Sequence, residues 1–211
     1  MKELQNSSGE HNFSDLFIQF ISDYSTREIN QYLEDSSTSV KIKKIFKNFI
    51  RLKFDDNSLL DVQRNSLSSS VTITDALKEI DDDDWTFVEI LIINFNRETM
   101  VKVVNLVEIF EVHVAEKSLA MSMHDPQYIL PQLLNALKKY QIHEIADILR
   151  LLDYLAMETM LQMVCKYVAN LIRDKEPEEI RRILDIEDDL NDEEKAAIQK
   201  EIKLISKSLK K

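Results

Sequence analysis

Residues 50–77 read IRLKFDDNSLLDVQRNSLSSSVTITDAL, and the order of patterns in this stretch decides the fold. The segment IRLKF alternates apolar and polar residues, DDNS supplies turn-forming residues, and LLDVQ follows. These patterns predict a β-hairpin whose strands are joined by a four-residue turn. The serines after the hairpin are preferred helix N-caps, and they predict a helix that runs toward Ile80.

A second apolar segment, TFVEILIINF at 86–95, predicts a third strand. Its continuous run of β-branched and aliphatic residues indicates a strand that is buried on both faces. Four aspartates, 81–84, precede this strand. They predict a solvated loop, because adjacent carboxylates cannot be buried without partners.

Every segment after Asn96 has helical periodicity. The first of these helices is expected at 97–113, and its core-facing stripe consists of Met100, Val103, Val104, Val107 and Phe110. Further helices are expected at 127–140, 143–153 and 157–173, and two short ones begin at Pro177 and near Asn191. Strands that precede a run of helices, without regular alternation, predict an α+β fold with a small three-stranded sheet covered by helices.

The composition restricts the partners of this 211-residue chain. Its net charge of −11 argues against nucleic acid and anionic membranes, because the phosphates of both attract Lys and Arg. No apolar run approaches the roughly 20 residues of a membrane-spanning helix, and residues 1–13 lack the apolar region of a secretory signal. The single cysteine, Cys165, cannot form an internal disulfide, so we expect a cytoplasmic and nuclear protein.

Glycine occurs once, at Gly9, and this scarcity excludes P-loops, dinucleotide-binding loops and nucleophile elbows, which need glycine in tight turns. The four histidines do not have metal-ligand spacing, and one cysteine cannot make a thiolate zinc site. His124 and Asp125 could form an acid–base pair, but turn residues beside Pro126 are the simpler interpretation. Cys165 is expected to be a small core residue. We therefore predict no catalytic residue, no metal and no cofactor.

Residues 1–47 precede the hairpin and are expected to form a helical extension. A short helix is expected at 29–33, after a first helix indicated by the apolar stripe of residues 13–24. KIKKIFK, residues 41–47, is the only basic cluster; it indicates either an acidic partner or, more simply, a solvated helix face or a linker. An apolar stripe with helical spacing contains Phe13, Leu16, Phe17, Phe20, Ile21 and Tyr24.

The stretch VANLIRDKEPEEIRRILDIEDDL, residues 168–190, combines dense charges with regularly spaced isoleucines. Pro177 suits the first position of a helix, with Glu178 and Glu179 in its first turn and Arg181 and Arg182 toward its end. The aliphatic residues between these charges either pack on the preceding helix or form a surface for a partner.

Residues 154–201, YLAMETMLQMVCKYVANLIRDKEPEEIRRILDIEDDLNDEEKAAIQKE, resemble the C-terminal half of the Skp family. The segments CKYVANLI, PEEIRR and DDLNDEE stand at the spacing of that family. Residues 50–77 resemble its opening hairpin and first helix, and VEILIINFNRETMVKVV resembles its third strand and next helix. The resemblance covers about residues 48–205 and is weak between 111 and 141. Members of this family are adaptors that join F-box proteins to a cullin in SCF ubiquitin ligases.

The resemblance implies a BTB/POZ-like domain at 48–153, an F-box-binding helical region at 154–211, and an extension of unknown role at 1–47. It implies F-box proteins and a cullin as partners, with possible self-association through the BTB-like domain when no partner is bound. The cullin-binding pair of the family falls on Asp153 and Tyr154. The F-box-binding residues carried over from the family are Val164, Val168, Ile172, Ile180, Ile183, Ile186, Ile198 and Leu204.

The sequence departs from the family at three places. Asp153 replaces an asparagine in the cullin-binding pair, Leu204 stands at the position of a tryptophan, and residues 1–47 are additional. The additional segment could dock a partner or shield the domain's own binding surface. Two functions stay open: an adaptor of an SCF-type ubiquitin ligase, or an F-box-binding scaffold that has lost the cullin and acts outside proteolysis. An enzyme is the third alternative, and the scarcity of glycine and of ligand clusters argues against it.

Overall fold

The computed structural model describes residues 21, 23–34, 40–79, 87–114 and 129–208. The elements are α1 (Thr26–Glu34), α2 (Val40–Lys47), β1 (Phe49–Phe54), β2 (Leu59–Gln63), α3 (Val71–Lys78), β3 (Val88–Ile92), α4 (Arg97–Val114), α5 (Pro131–Leu137), α6 (Ile142–Tyr154), α7 (Glu158–Ile172), α8 (Pro177–Leu184) and α9 (Asp192–Ser208). This order confirms the predicted α+β class. Within the described ranges, no helix is long and apolar enough to cross a membrane. The acidic loop expected at 81–84 and the His124–Asp125 pair lie outside the described residues.

The sheet has the strand order β2-β1-β3. β1 pairs antiparallel with β2 and parallel with β3. Residues 55–58 join β1 to β2, which confirms the predicted hairpin and its four-residue turn. Ser70 caps α3, since its hydroxyl accepts a 3.2 Å hydrogen bond from the backbone N–H of Ile73, as the serine-rich stretch predicts.

The inner face of the sheet and α4 form the apolar core. Ile50, Leu52 and Phe54 of β1 lie on this face, and each is almost completely buried. The predicted stripe of α4 is confirmed, because all five of its residues are buried; they are Met100, Val103, Val104, Val107 and Phe110. α5 and α6 pack against α4. Full burial of one such aliphatic side chain stabilises the fold by about 1.5–3 kcal/mol.

The opposite, outer face of the sheet carries a buried charge on its central strand. Arg51 is completely buried and lies opposite Asp61 of β2. Its Nε and Nη2 atoms donate to Asp61 Oδ1 and Oδ2, at 2.7 and 2.9 Å. Its Nη1 and Nη2 atoms also donate to the backbone oxygens of Tyr24 and Ile21. The guanidinium therefore joins the N-terminal extension to the sheet.

The described part of the extension is helical, as predicted, and it is packed on the outer face of the sheet. Ile29 and Leu33 of α1 are buried in one cluster with Phe49 and Phe87, and Phe46 of α2 belongs to the same cluster. Residues 41–47 are therefore part of a helix with a buried phenylalanine, and the interpretation of its lysines as a solvated helix face or a linker stays a prediction. The sequence KIKKIFK directs its phenylalanine into the core, because a helix turns its residues through about 100° each and so separates one apolar side from the lysines.

The strand β3 is not buried on both faces, contrary to the prediction. Val88 and Ile92 are buried, whereas Leu91 is 51% exposed and Ile93, just beyond the strand, is 47% exposed. Leu91 lies on the outer face in register with Lys53, where Leu59 of β2 is also exposed, and a continuous apolar run does not reveal that one face of a strand is left open.

Cys165 is exposed, so its predicted place in the core is also wrong. The buried side of α7 consists of Met160, Met163, Val164 and Tyr167. Cys165 lies about 100° around the helix from Val164 and nearly opposite Met163. Apolar neighbours in sequence were therefore a poor guide, since residues next to each other on a helix point in different directions.

The remaining helices agree with the prediction, apart from the bounds of α5. This helix was expected at 127–140, but it begins at Pro131 and ends at Leu137. Proline suits the first helical position, and it disfavours the helical conformation in the residue before it, which here is Leu130. α8 begins at Pro177, as the sequence predicts, and α9 begins at Asp192.

The chain divides into two compact units, Met1–Asn170 and Leu171–Lys211. The first unit contains the sheet and the buried core described above. The second unit contains the last turn of α7 together with α8 and α9. The domain boundaries expected at residues 47 and 153 stay predictions.

Candidate partner-binding surfaces

Asp153 and Tyr154, the predicted cullin-binding pair, form the C-terminal end of α6 in the first unit. Both residues are exposed, and Tyr154 keeps 38% of its surface accessible. The Tyr154 ring packs against Phe95, with the ring centroids 5.2 Å apart and the planes tilted by 47°. The pair therefore presents one carboxylate and one partly supported aromatic ring to solvent.

Hydroxyl groups at the start of α3 fix the end of α6. Thr72 Oγ1 donates to the backbone oxygen of Tyr154 at 2.8 Å, and Ser70 Oγ donates to that of Leu155 at 2.7 Å. The last carbonyls of a helix have no partner within the helix, so these two bonds satisfy groups that would otherwise need water. Ala156 then turns the chain into α7 with a positive φ of 51°. The backbone of Tyr154 is thus held in place by side-chain hydroxyl groups from the start of α3.

Two of the predicted F-box-binding residues, Val164 and Val168, belong to the first unit. Both lie on α7, where Val164 is completely buried and Val168 is partly buried. Val164 has no accessible surface in the free chain, so it supports α7 from inside the core. A direct contact of Val164 with a partner stays a prediction, and Val168 has the better geometry for one.

The other six predicted residues belong to the second unit, and those on α7 and α8 are less exposed than Ile186 and Ile198. Ile172, Ile180 and Ile183 are partly buried. Ile186 is 54% exposed and Ile198 is 44% exposed. Leu204 lies within α9, but its side chain is outside the described residues. The described aliphatic side chains of this unit therefore include none that is fully buried.

Two exposed residues on α9 were missed from the sequence. Ile202 and Ile205 are 53% and 58% exposed, and they follow Ile198 at intervals of four and three residues. Residues at these intervals lie on the same side of a helix, so the three isoleucines form one apolar stripe. Their spacing from Ile198 is visible in the sequence, whereas the family resemblance points only to Ile198 and Leu204 on this helix.

The charges of the second unit terminate and solubilise its helices. Asn191 Oδ1 accepts hydrogen bonds from the backbone N–H groups of Glu193 and Glu194, both at 3.0 Å, and so caps α9. Asp188 accepts a 2.7 Å bond from Lys195 and lies 3.4 Å from Arg181. The hydrogen bond from Lys195 is the main reason why the pKa of Asp188 is lowered. The Asn191 cap therefore begins α9, and the ion pairs of Asp188 join the segment between the two helices to α8 and α9, while Ile186 and Ile198 stay accessible.

The described residues contain no group of three or more His, Cys, Asp or Glu side chains that could hold a metal ion. Among the histidines, only the side chain of His143 is described, and it is exposed on α6. Cys165 is a free, exposed thiol. The surfaces described above therefore have the chemistry of protein–protein contacts: aliphatic stripes and one aromatic–carboxylate pair.

Comparisons with known proteins connect these surfaces to one family. The model of the "Skp1 family, dimerisation domain" matches residues 158–205, which include α7, α8 and most of α9. The SCF ubiquitin ligase complex proteins SKP1b and SKP1a of Dictyostelium discoideum are each 26% identical to the chain over 152 residues, which are 72% of this chain and 92% of each relative. SKP1-like protein 14 of Arabidopsis thaliana is 40% identical over 65 residues, 31% of this chain and 44% of that protein. The resemblance predicted from the sequence is confirmed.

Proposed function

Because this chain is a relative of the Skp family, we propose that it is a non-enzymatic adaptor subunit of an SCF-type ubiquitin ligase. In this role it holds an F-box protein with its C-terminal helices and a cullin with its BTB/POZ-like domain. The observation that carries the proposal is the match of residues 158–205, the part of the chain where exposed isoleucines interrupt an acidic surface. The names of the Dictyostelium relatives, which are SCF ubiquitin ligase complex proteins, support the same role.

The aliphatic side chains of α8 and α9 provide the attraction for an F-box. An F-box is a short helical hairpin whose leucines need an apolar surface to bury. Ile186 and Ile198 are large, accessible and separated by charged residues, which is the arrangement of an interface with an apolar centre and a polar rim. Helix-in-groove recognition buries such spaced residues against the apolar side of the incoming helix.

The test of F-box binding is the affinity of the full chain for an F-box peptide, measured by calorimetry. Ile198→Asp introduces a charge that binding would desolvate, so we expect Kd to rise at least about tenfold, or 1.4 kcal/mol. Gln199→Asp is the matched control, because it places the same charge on the neighbouring exposed position. We expect that control to change Kd by less than about twofold. Equal affinities of wild type and Ile198→Asp, with circular dichroism unchanged, would reject this surface.

Cullin binding is proposed to use Tyr154, with its ring supported by Phe95. Asp153 changes the chemistry of this pair, because a carboxylate cannot donate the hydrogen bonds of the family's asparagine amide. In a pull-down with a cullin N-terminal domain, we expect Tyr154→Ala to abolish capture and Asp153→Asn to strengthen it. Neither of the next two residues, Leu155 and Ala156, offers a matched control. Arg150→Ala therefore serves as the control, because Arg150 is another exposed residue of the same helix.

A second function is favoured by Asp153 itself. If wild-type protein captures F-box peptide but no cullin, and Asp153→Asn restores capture, the chain is an F-box-binding scaffold that acts outside proteolysis. If wild type captures both partners, the adaptor role stands. We also propose that the protein acts in the cytoplasm and nucleus, which imaging of a fluorescently tagged chain would test.

A further inference from the structure

In the part of the chain that the structure describes, β2 is paired along one edge only, because it stands at the end of the strand order. Hydrogen-bonded and non-hydrogen-bonded pairs alternate along an antiparallel ladder. At the two ends of the β1–β2 ladder, Phe54 N–H donates to the Ser58 oxygen at 3.0 Å and Arg64 N–H donates to the Asn48 oxygen at 2.8 Å. These two bonds fix the alternation. Every second residue of β2 therefore directs its backbone groups toward β1, and the residues between them direct theirs away from it.

The backbone groups that point away from β1 belong to Leu59, Asp61 and Gln63. The Leu59 oxygen accepts a 2.9 Å hydrogen bond from Nε of Arg97, at the start of α4. No described residue bonds to the backbone N–H or oxygen of Asp61 or Gln63, and we call these two residues the free edge. Asp61 is 6% exposed, whereas its side chain is only 2% exposed, so its accessible surface belongs mainly to the backbone. Unpaired backbone groups on a strand edge are a template for another strand.

A cavity of about 210 Å³ lies between β2 and α4, beside the free edge. It is lined by residues 60–63 of β2 and by one side of α4, on which stand Val101, Val104, Asn105 and Glu108. Val62 and Val104 are buried, so the floor of the cavity is apolar. Addition of an extended peptide to an exposed sheet edge is a recurring mode of recognition, in which pockets beside the edge receive alternate side chains. The cavity is such a pocket.

The cavity is acidic at the end where Glu108 stands. The helix α4 runs in the same direction as β2, because Arg97 contacts Leu59 at one end and Ser66 Oγ donates to Glu108 at 3.2 Å near the other. Glu111 follows one turn later; burial raises its pKa, and the charge of Glu108 raises it further. In the described part of the chain, neither carboxylate has a lysine or arginine partner. A positive charge on a partner is therefore attracted to this end, as it is to the net charge of −11.

We propose that the free edge binds an extended segment of another protein, with an aliphatic side chain opposite Val62 and a lysine or arginine side chain at Glu108. Residues directly opposite each other in a strand pair point to the same face, so the residue opposite Val62 enters the cavity beside Val104. The next residue on that face lies about 6.6 Å further along, on the side of Glu108. An antiparallel segment is the more stable arrangement per residue, and it has the basic residue two positions before the aliphatic one. This surface contains none of the residues assigned to the F-box protein or the cullin, so the proposal does not depend on the adaptor role.

A synthetic peptide and the full chain test the charge part of the proposal by fluorescence polarisation. The peptide alternates threonine and valine, and one lysine stands two residues before its first valine. Glu108→Lys should raise the Kd of this peptide at least about tenfold, and a peptide with glutamate in place of the lysine should bind that variant more tightly than wild type. Glu158→Lys, the same charge change at an exposed position on α7, is the matched control and should change Kd by less than about twofold. Absence of binding to wild type, or equal Kd values for the two variants, would overturn the proposal.

Gln63→Pro tests the backbone part, because proline removes the N–H that points away from β1 and leaves the bonds between β1 and β2 in place. We expect it to raise Kd at least about tenfold, whereas Gln63→Ala keeps the N–H and should change Kd by less than about twofold. Thermal unfolding shows whether the proline variant is folded. Equal Kd values for the two folded variants would mean that the peptide does not pair with the edge, which contradicts the proposal.

Amide hydrogen exchange of the wild-type chain, followed by NMR, gives a measurement that needs no variant. The peptide should slow the exchange of the Asp61 and Gln63 amides, which point away from β1, and leave those of Leu60 and Val62 unchanged. Unchanged exchange of Asp61 and Gln63 in the presence of saturating peptide would reject strand addition.

A second copy of this chain is the other occupant that could pair with the free edge. Sedimentation of wild type and Gln63→Pro without peptide distinguishes it. We expect both to have the same oligomeric state. A wild-type dimer that Gln63→Pro dissociates would assign the edge to self-association, and this result overturns the proposal.

Discussion

In the part of the chain that the structure describes, five non-glycine residues adopt positive φ angles: Asn57, Asn94, Ala156, Asp174 and Asp185. The only glycine of the sequence is Gly9, so the turns use other residues where the left-handed conformation is needed. Asn and Asp tolerate this region better than most residues, because their side chains bond to the local backbone. Ala156 has no such compensation. It is therefore the residue in this set where glycine would relieve the most strain.

We expect Ala156→Gly to stabilise the protein by about 0.5–1 kcal/mol, as the relieved left-handed strain exceeds the greater entropy lost by glycine. The turn itself is kept by the Met157 N–H, which bonds to the Leu152 oxygen at 3.0 Å. The free energy of urea unfolding measures the change. Ala146→Gly, at an exposed position inside α6, is the control and should destabilise by about 1 kcal/mol. Destabilisation by both substitutions would show that Ala156 is not strained.

The buried Arg51–Asp61 pair predicts a large effect from a single substitution. Arg51→Met leaves the Asp61 carboxylate and two backbone oxygens without their donor, so we expect a loss of about 3–5 kcal/mol. The double variant Arg51→Met with Asp61→Leu should recover a large part of that loss, since no unpaired charge is then buried. Urea unfolding checks both values.

The exposed pair Lys78–Asp75 is the natural comparison for this prediction. Its side chains are 75% and 60% exposed, so Lys78→Met should cost less than about 1 kcal/mol. If Arg51→Met reduces the unfolding free energy by no more than Lys78→Met does, water reaches the Arg51–Asp61 pair.

At the scale of elements, Lys102 joins α4 to α6. Its Nζ atom lies 2.6 Å from Glu144 and 2.7 Å from Glu98. The hydrogen bond with Glu144, followed by that with Glu98, raises the pKa of Lys102 to about 12. The hydrogen bond from Lys102 is the first cause of the lowered pKa of Glu144. Both shifts mean that the charged forms are favoured in the folded state.

We expect Lys102→Met to destabilise the protein by about 1 kcal/mol near neutral pH, the upper range for a partly exposed pair. The raised pKa of Lys102 contributes stability below its ordinary value of 10.5, and this is lost as pH rises through about 12. The lowered pKa of Glu144 contributes stability above 4.5, which is lost as pH falls. The difference in unfolding free energy between wild type and Lys102→Met should therefore be constant from about pH 5 to 10. It should become smaller below and above that range. A difference that does not depend on pH would indicate lost packing instead.

The elements that the sequence predicted best are those whose signal is local. The hairpin turn DDNS, the Ser70 cap and the proline that begins α8 act within a few residues, and the structure confirms each one. The errors concern long-range packing. The sequence of β3 does not reveal that the strand lies at the end of the sheet, and no local rule places Phe46 against Phe87, where the ring centroids are 5.9 Å apart. The missed Ile202 and Ile205 differ, since their spacing was visible.

At the scale of the whole molecule, buried aliphatic residues are distributed unevenly between the two units. The first unit contains the buried core, whereas the described residues of the second include no fully buried aliphatic side chain. Regions with little buried apolar surface open more easily than the core. The second unit is therefore where a partner can contribute most to stability.

We expect hydrogen exchange to be at least about 100-fold faster in α8 and α9 than in α4, measured by mass spectrometry on the full chain. Addition of an F-box peptide should slow the exchange of α8 and α9 and leave α4 unchanged. Exchange in α8 and α9 that is as slow as in α4 before peptide is added would contradict this expectation.

The attachment of the extension to the sheet has a consequence for synthesis on the ribosome. Thr26 bonds to Glu89, a residue 63 positions later in the chain. At about 5–20 residues per second, that partner is made roughly 3–13 s after Thr26. Ile29 and Leu33 of α1 therefore lack Phe87, a member of their buried cluster, throughout this interval. We expect α1 to dock late, only after β3 has been synthesised, although it is among the first helices that the ribosome makes.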